Sequence, residues 1–358
     1  MADFVYGNTR LRARKGALLG PAAYDALLGL DLDDVLGALA RTPYGPDVER
    51  ALPRFSGPRR LHEAIRSHLA RTLNEMRSFY GSGARELVDL LLARWDLRNL
   101  LTLLRGQAAR APAEEVLASI VPLGAIDDAS AREIARQREF AAAVQLVAAW
   151  RLPTPAAAQA LVSAWPEYER TRDLAALESA LTAAHTERIG RALARAGDDA
   201  APLREAVARE LDARNLLTAL RLREALARGE LDDAGEAESR AVLPGGRLAR
   251  ATLTAAIHAL APEETLAAVA RDEAGGRWLE PLERWARGAD LLELQDDLEA
   301  AVTAGSVGLF HRGDPLGVAV PIAYAAAKEA EARNLRLVGE AAAGAADPAV
   351  ARSRLLLP

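Results

Sequence analysis

No cysteine occurs among the 358 residues. That excludes disulfides, thiolate metal sites and cysteine nucleophiles, and it allows a reducing compartment. Lysine is nearly as scarce, with Lys15 and Lys328 the only two. A phosphate-cradling Gly-x-x-x-x-Gly-Lys-Ser/Thr loop needs a lysine before Ser or Thr. Lys15 precedes Gly16 and Lys328 precedes Glu329, so no such loop exists. Neither sign of charge dominates: 45 basic and 50 acidic residues leave −5, unlike the basic patch or stripe of a nucleic-acid binder. Apolar residues never run uninterrupted for the length a membrane span needs, about 18 residues. Met1-Ala2-Asp3 opens on an acid with no apolar stretch behind it, so no secretory signal is expected.

Recognisable catalytic motifs are missing too. Gly81-x-Gly83 and Gly245-Gly246 lack the strand context of a dinucleotide fold and read as turns. No Gly-x-Ser-x-Gly elbow is present. His62, His68, His185, His258 and His311 form no Glu-x-x-His or His-Glu-x-x-His pattern, the helical spacing that aims two ligands at one metal. They read as exposed or core-edge helix residues. An NTPase and a zinc hydrolase are disfavoured, and no catalytic, cofactor or metal residue is assigned.

What the chain has is alanine and leucine. Aromatics are 4% and β-branched residues sparse, a composition that favours helix almost throughout. Half the residues are hydrophobic and 27% charged, which is globular. At this length two or three cores are expected.

One phrase recurs. Asp96-Leu97-Arg98-Asn99-Leu100 returns as Asp212-Ala213-Arg214-Asn215-Leu216 and, weaker, as Glu331-Ala332-Arg333-Asn334-Leu335. The asparagines stand 116 and 119 residues apart, which points to one ancestral unit used three times. Leucines at three- and four-residue steps (Leu87, Leu90, Leu91, Leu97, Leu100, Leu101, Leu104) put the first copy on a helix. There the acid and the asparagine share one face, flanked by apolar neighbours, and the arginine lies on an adjacent face. Buried polar pairs need partners. Two readings stand: each pair bonds a turn or helix end in its own repeat and sets how helices cross, or three equivalent sites bind something. The first is favoured, since polar pairs between packed helices more often fix registry than hold ligands.

In order along the chain, the spacing predicts a first helix over 5–19, ended by Gly20-Pro21. Its cluster Arg10, Arg12, Arg14 and Lys15 is read as a solvated face, with anionic lipid or an acidic partner as the alternative. Two short helices follow to 41, the second capped by Asp31. A helical pattern over 47–79, broken near Pro53 and Gly57-Pro58, carries the stripe Leu61, Ile65, Leu69, Leu73 and Met76. Ser82 or Gly83 should cap the first phrase helix, and Pro112 marks a linker. Ser130 is expected as a cap, and Pro166 as an interruption. Helices are expected over 173–196, and at about 247–260, 263–271, 277–287, 290–304 and 316–345. Gly229 to Gly235 reads as a second linker. The tail ending Leu355-Leu356-Leu357-Pro358 should dock on its own domain. The resulting units are 1–112, 113–230 and 231–358.

With these residues in view, the chain resembles the C subunit of V-type/A-type rotary ATPases, called the d subunit in eukaryotic vacuolar enzymes. The likeness rests on Met1-Ala2-Asp3-Phe4-Val5-Tyr6-Gly7-Asn8-Thr9-Arg10-Leu11-Arg12-Ala13-Arg14-Lys15-Gly16, on Leu91 to Leu100, and on Asp314-Pro315-Leu316-Gly317 with the helix after it. It covers essentially the whole chain. The third phrase departs from the pattern, with Glu331 for Asp and Arg336-Leu337 for Leu-Thr, which puts exact threefold equivalence in question.

The resemblance implies an all-α chain of three similar helical subdomains in tandem, forming a pseudo-threefold funnel. It implies a non-catalytic central-stalk subunit without cofactors. This subunit would receive the shaft subunits D and F and sit on the membrane proteolipid ring, at the inner face of the plasma membrane. It would transmit torque between the soluble head and ion translocation. A helical-repeat adaptor with unrelated protein partners fits composition and repeats equally well. An all-helical enzyme with a carboxylate site between helices is a third class.

Overall fold

The computed structural model describes residues 3–231 and 235–357, and every regular element among them is helical. The expected linker Gly229 to Gly235, the Met1-Ala2 start and Pro358 fall partly or wholly outside the described residues. Helix α1 (Val5–Lys15) precedes an order that recurs three times. Three helices lead to a pair, of which the second carries the phrase, and one short helix closes the set. The first set is α2 (Pro21–Leu27), α3 (Leu32–Leu39), α4 (Gly45–Ala51), α5 (Pro58–Ser78), α6 (Ser82–Ala108) and α7 (Ala113–Ala118). The second is α8 (Asp128–Ala135), α9 (Phe140–Ala149), α10 (Pro155–Thr171), α11 (Ala175–Arg195), α12 (Ala201–Ala227) and α13 (Gly235–Ala241). The third is α14 (Arg250–His258), α15 (Pro262–Ala270), α16 (Leu279–Ala286), α17 (Leu291–Val307), the one-turn α18 (Leu309–Arg312), α19 (Ala319–Ala342) and α20 (Pro348–Ser353).

Local chemistry explains several boundaries. Asp31 caps α3, its Oδ1 accepting from Asp34 N at 2.9 Å. Ser130 is not a cap: Asp127 is, and Ser130 is its third-residue partner in a reciprocal capping box. The N-cap of α6 is Gly81, and Ser82 takes φ +45° in the first helical position. Helix α1 stops at Lys15 because Ala17 and Leu18 bond back only three residues, to Arg14 and Lys15, the tighter turn that commonly ends a helix. Pro166 does not interrupt; α10 runs through it. The carbonyl that loses its donor belongs to Val162, on a face of α10 where that residue is 53% exposed.

The chain divides into two compact units, one built of residues up to Arg188 and from Val307 onward, the other of Ile189–Ser306. In the first, α5 packs on α4 and α19, and α1 also packs on α19. The stripe Leu61, Ile65, Leu69, Leu73 and Met76 is buried as its period required. Gly7 of α1 lies flat on Tyr80, where a Cβ would fall 2.2 Å from the ring. A second core in this unit gathers Leu100, Leu103 and Leu104 of α6 with Ile126, Ile134, Val147, Leu161 and Leu181. The other unit has its own core, in which Leu216 and Leu220 meet Leu253, Val269, Trp278, Leu282, Leu294 and Leu298.

Candidate functional site

Each phrase asparagine grips one peptide group. On α6, Asn99 Nδ2 donates to Val121 O at 2.6 Å and Oδ1 accepts from Val121 N at 3.1 Å. On α12, Asn215 makes the same two bonds to Leu243, at 2.8 and 2.9 Å. On α19, Asn334 makes them to Leu356, both at 2.8 Å. All three side chains are about 1% exposed. A carboxamide offers one donor edge and one acceptor edge, which matches the N–H and C=O of a single residue. The expectation placed these partners inside the phrase's own repeat. Val121 and Leu243 instead lie past the expected linkers, because the short helix after each phrase carries the chain back along the phrase helix before releasing it.

The acids complete the clasp. Asp96 Oδ1 accepts from Ala125 N and Ile126 N at 2.9 and 3.0 Å. Asp212 Oδ1 accepts from Arg247 N and Leu248 N at 2.8 and 3.0 Å. Both pairs of amides stand four and five residues after the asparagine-bound residue. Glycine lets the loop come this close. A Cβ on Gly124 would lie 2.3 Å from Asp96 Oδ2, and one on Gly246 would lie 2.2 Å from Asp212 Oδ1. Burial pushes both carboxyls above the usual aspartate range, against the opposing pull of the amides.

The third clasp is wired differently. Glu331 Oε2 accepts from Leu19 N at 2.7 Å, and Oε1 accepts from Tyr44 Oη at 2.8 Å. Leu19 stands just before Gly20, the N-cap of α2; Ile126 and Leu248 stand just before Asp127 and Ala249, the N-caps of α8 and α14. The acid thus reaches the equivalent position, in a segment 312 residues away. The asparagine of the same phrase holds the C-terminal segment, so one helix ties down both.

The arginines share no such pattern. Arg98 stacks over Trp95, 5.1 Å from the ring centroid. Arg333 Nη1 donates to Arg354 O at 2.9 Å. Arg214 lies exposed on α12.

Sequence reasoning missed the buried ionic cluster around Glu331. Lys328, one turn before it, is 4% exposed and bonds its carboxylate. Lys328 Nζ also lies 3.1 Å from His68 Nε2. His68 Nδ1 lies 3.1 Å from Asp47 Oδ2, which accepts from Arg71 Nη2 at 2.6 Å. Tyr44 stacks on the imidazole, centroids 3.8 Å apart. His68 is 2% exposed, not a core-edge residue. The signal was available, since His68 falls three residues after Ile65 and four before Thr72, on the apolar face of α5. Burial pushes the Asp47 carboxyl up, but hydrogen bonds from His68, Arg71, Ser67 and Arg50 outweigh it and hold the group well below the usual range. Burial and the Glu331 carboxylate raise the Tyr44 hydroxyl well above its ordinary value, keeping it a donor.

What the clasps and cluster do chemically is bind backbone and balance buried charge. Among the described residues no group of three or more His, Asp or Glu is placed to hold a metal. No described helix is long and apolar enough to cross a membrane.

Comparison with known proteins gives a consistent result. Residues 7–354 match the family described as ATP synthase (C/AC39) subunit. The C subunit of the A-type ATP synthase of Haloferax volcanii is 27% identical over 354 residues, covering 98% of this chain and 97% of that one. The C subunit of the V-type ATP synthase of Thermus thermophilus is 31% identical over 352 residues, covering 95% and 94%.

Proposed function

The chain belongs to the ATP synthase (C/AC39) subunit family, and we propose that it is a non-catalytic subunit of the central stalk in a V/A-type rotary ATPase or ATP synthase. In this reading it is a socket that couples the shaft subunits D and F to the proteolipid ring. It lies against the inner face of the plasma membrane as a peripheral part of the complex. The observation that carries the proposal is the extent of the match: the likeness spans 97% of the Haloferax relative, so it covers a whole subunit and not a shared module.

The architecture suits the task. A part that transmits torque must resist shear between its segments. Close-packed Ala/Leu helices give stiffness, and the three clasps tie successive segments to their phrase helices by directional bonds. We read 1–112, 113–230 and 231–358 as three related repeats, a reading supported by the thrice-repeated helix order and clasp geometry. The phrase residues Asp96, Arg98, Asn99, Asp212, Arg214, Asn215, Glu331, Arg333 and Asn334 are then structural, not ligand-binding.

Native mass spectrometry of the tagged chain, extracted gently from its own membranes, tests the proposal. One copy bound with a proteolipid ring and shaft subunits is expected. Soluble partners alone, without ring or shaft, would overturn it in favour of an adaptor.

A further inference from the structure

The third clasp is built onto a buried titratable cluster. Asp96 and Asp212 hold their loops through backbone amides; Glu331 holds Leu19 while bonded to Lys328, which in turn touches His68. The chemistry of these groups favours one position for the histidine's proton. An ammonium only donates, and so does the Arg71 guanidinium 3.0 Å from Nδ1; Arg71 Nη2 already donates to Asp47 Oδ2 at 2.6 Å, so we assign the acceptor role to Nε2, facing Lys328. The ring proton then sits on Nδ1, facing Asp47 Oδ2 at 3.1 Å. In this neutral form every charge has an opposite partner: Lys328 with Glu331, Arg71 with Asp47.

A second proton has no place to go. It would sit on Nε2, 3.1 Å from the Lys328 nitrogen, on a ring 2% exposed to water. From α4 the ring faces Asp47, from α5 Arg71 and Thr72, and from α19 Lys328, with Tyr44 stacked on it. Arg71 Nη2 already lies 3.0 Å from Nδ1. Helices α3, α6 and α7 also pack on α5; the charged groups that act most strongly on the ring are Asp47, Lys328 and Arg71. An imidazolium would therefore stand between two cations, with Asp47 already shared among Arg71, Arg50 and Ser67. Lys328, the long flexible member, must leave, and Glu331 loses its counter-charge while still buried.

We propose that His68 is a proton-operated latch on the third clasp: neutral, it keeps Lys328 on Glu331 and Leu19 on α19; protonated, it opens that clasp and leaves the other two shut. Burial and the neighbouring cations, against the pull of Asp47, hold the His68 pKa below its ordinary value, as a closed latch that excludes the proton requires. The sign follows from linkage. A histidine whose pKa is lowered in the closed form stabilises that form above its ordinary pKa, about 6.5, and loses the advantage as pH falls below it. Opening therefore becomes more favourable between pH 7.5 and 5.5, by up to about tenfold where the closed form takes up no proton. Asp96 and Asp212 have raised values, so acid does not open their clasps by this route. The proposal stands apart from the rotor reading.

Amide hydrogen exchange on the full chain at pH 7.5 and 5.5 tests it. The Leu19 amide is compared with Ile126 and Leu248 in the same sample, which cancels the intrinsic effect of pH on exchange. The expected result is a relative loss of protection at Leu19, of up to about tenfold. In His68→Gln, whose side-chain oxygen can still accept from Lys328 but binds no proton, Leu19 should stay protected at both pH values. An unchanged ratio in the native chain, or the same fall in His68→Gln, overturns the latch. Should that variant fail to fold, the ring nitrogen chemical shifts of His68 in the native chain decide. A neutral Nδ1–H imidazole whenever Leu19 is protected supports the latch, and an imidazolium or Nε2–H ring with Leu19 still protected overturns it.

Discussion

Asn334 joins Leu356 by the same two hydrogen bonds, both 2.8 Å long, that join Asn99 to Val121 and Asn215 to Leu243. A single side chain thus fixes the segment after each phrase helix, and the bonds are strong in effect because neither edge of the peptide has water as an alternative.

Asn99→Leu or Asn215→Leu keeps the side chain's bulk and strands a buried N–H and C=O. Each should cost about 1–3 kcal/mol, measured by urea denaturation. Asn334→Leu should cost a similar amount and, in addition, expose the segment after α20 to limited proteolysis. Unchanged stability with failed assembly would instead make the asparagines interface residues.

Gly246→Ala should destabilise without any backbone penalty, since only the approach of its Cβ to Asp212 Oδ1, 2.2 Å, is at fault. About 1–3 kcal/mol is expected, as for overpacking elsewhere. Combining it with Asp212→Ala should cost less than the two separately, a negative coupling that a double-mutant cycle reads directly. Gly124→Ala carries the same clash with Asp96 and a φ of +85° besides, so its cost should be larger.

Asp47 sets a separate acid limit. Its folded pKa is lowered, so it contributes stability that is present above the unfolded value, 3.8, and is lost as pH falls below it. Asp47→Asn should therefore be strongly destabilising near pH 7, by about 3–5 kcal/mol as when a buried pair loses one partner. The difference from the native chain should shrink by pH 3. Denaturant midpoints at the two pH values check it.

Lys328→Met should leave Glu331 buried without its counter-charge, again costing about 3–5 kcal/mol. Adding Glu331→Gln removes the charge and keeps an oxygen for Leu19 N or Tyr44 Oη. The double variant should be more stable than Lys328→Met alone, by thermal denaturation.

The recurring phrase, the helical class and most helix positions were legible in the residue order, because a 3.6-residue period and a cap such as Asp31 are local properties. Pro166 shows the limit even there: the residue whose carbonyl it deprives of a donor, Val162, lies on an exposed face, and exposure is not local. The acid and asparagine of each phrase could be seen to need partners, since a polar pair on an apolar face must be satisfied. Which peptide satisfied them could not be read. Val121 and Leu243 are set by where α7 and α13 release the chain, and Leu19 by how α1 and α2 pack on α19, more than 300 residues away in sequence. His68 and Lys328 are likewise inconspicuous as letters. Only packing three helices together removed the water that would otherwise have screened them, and so turned Asp47, His68, Lys328 and Glu331 into one coupled cluster.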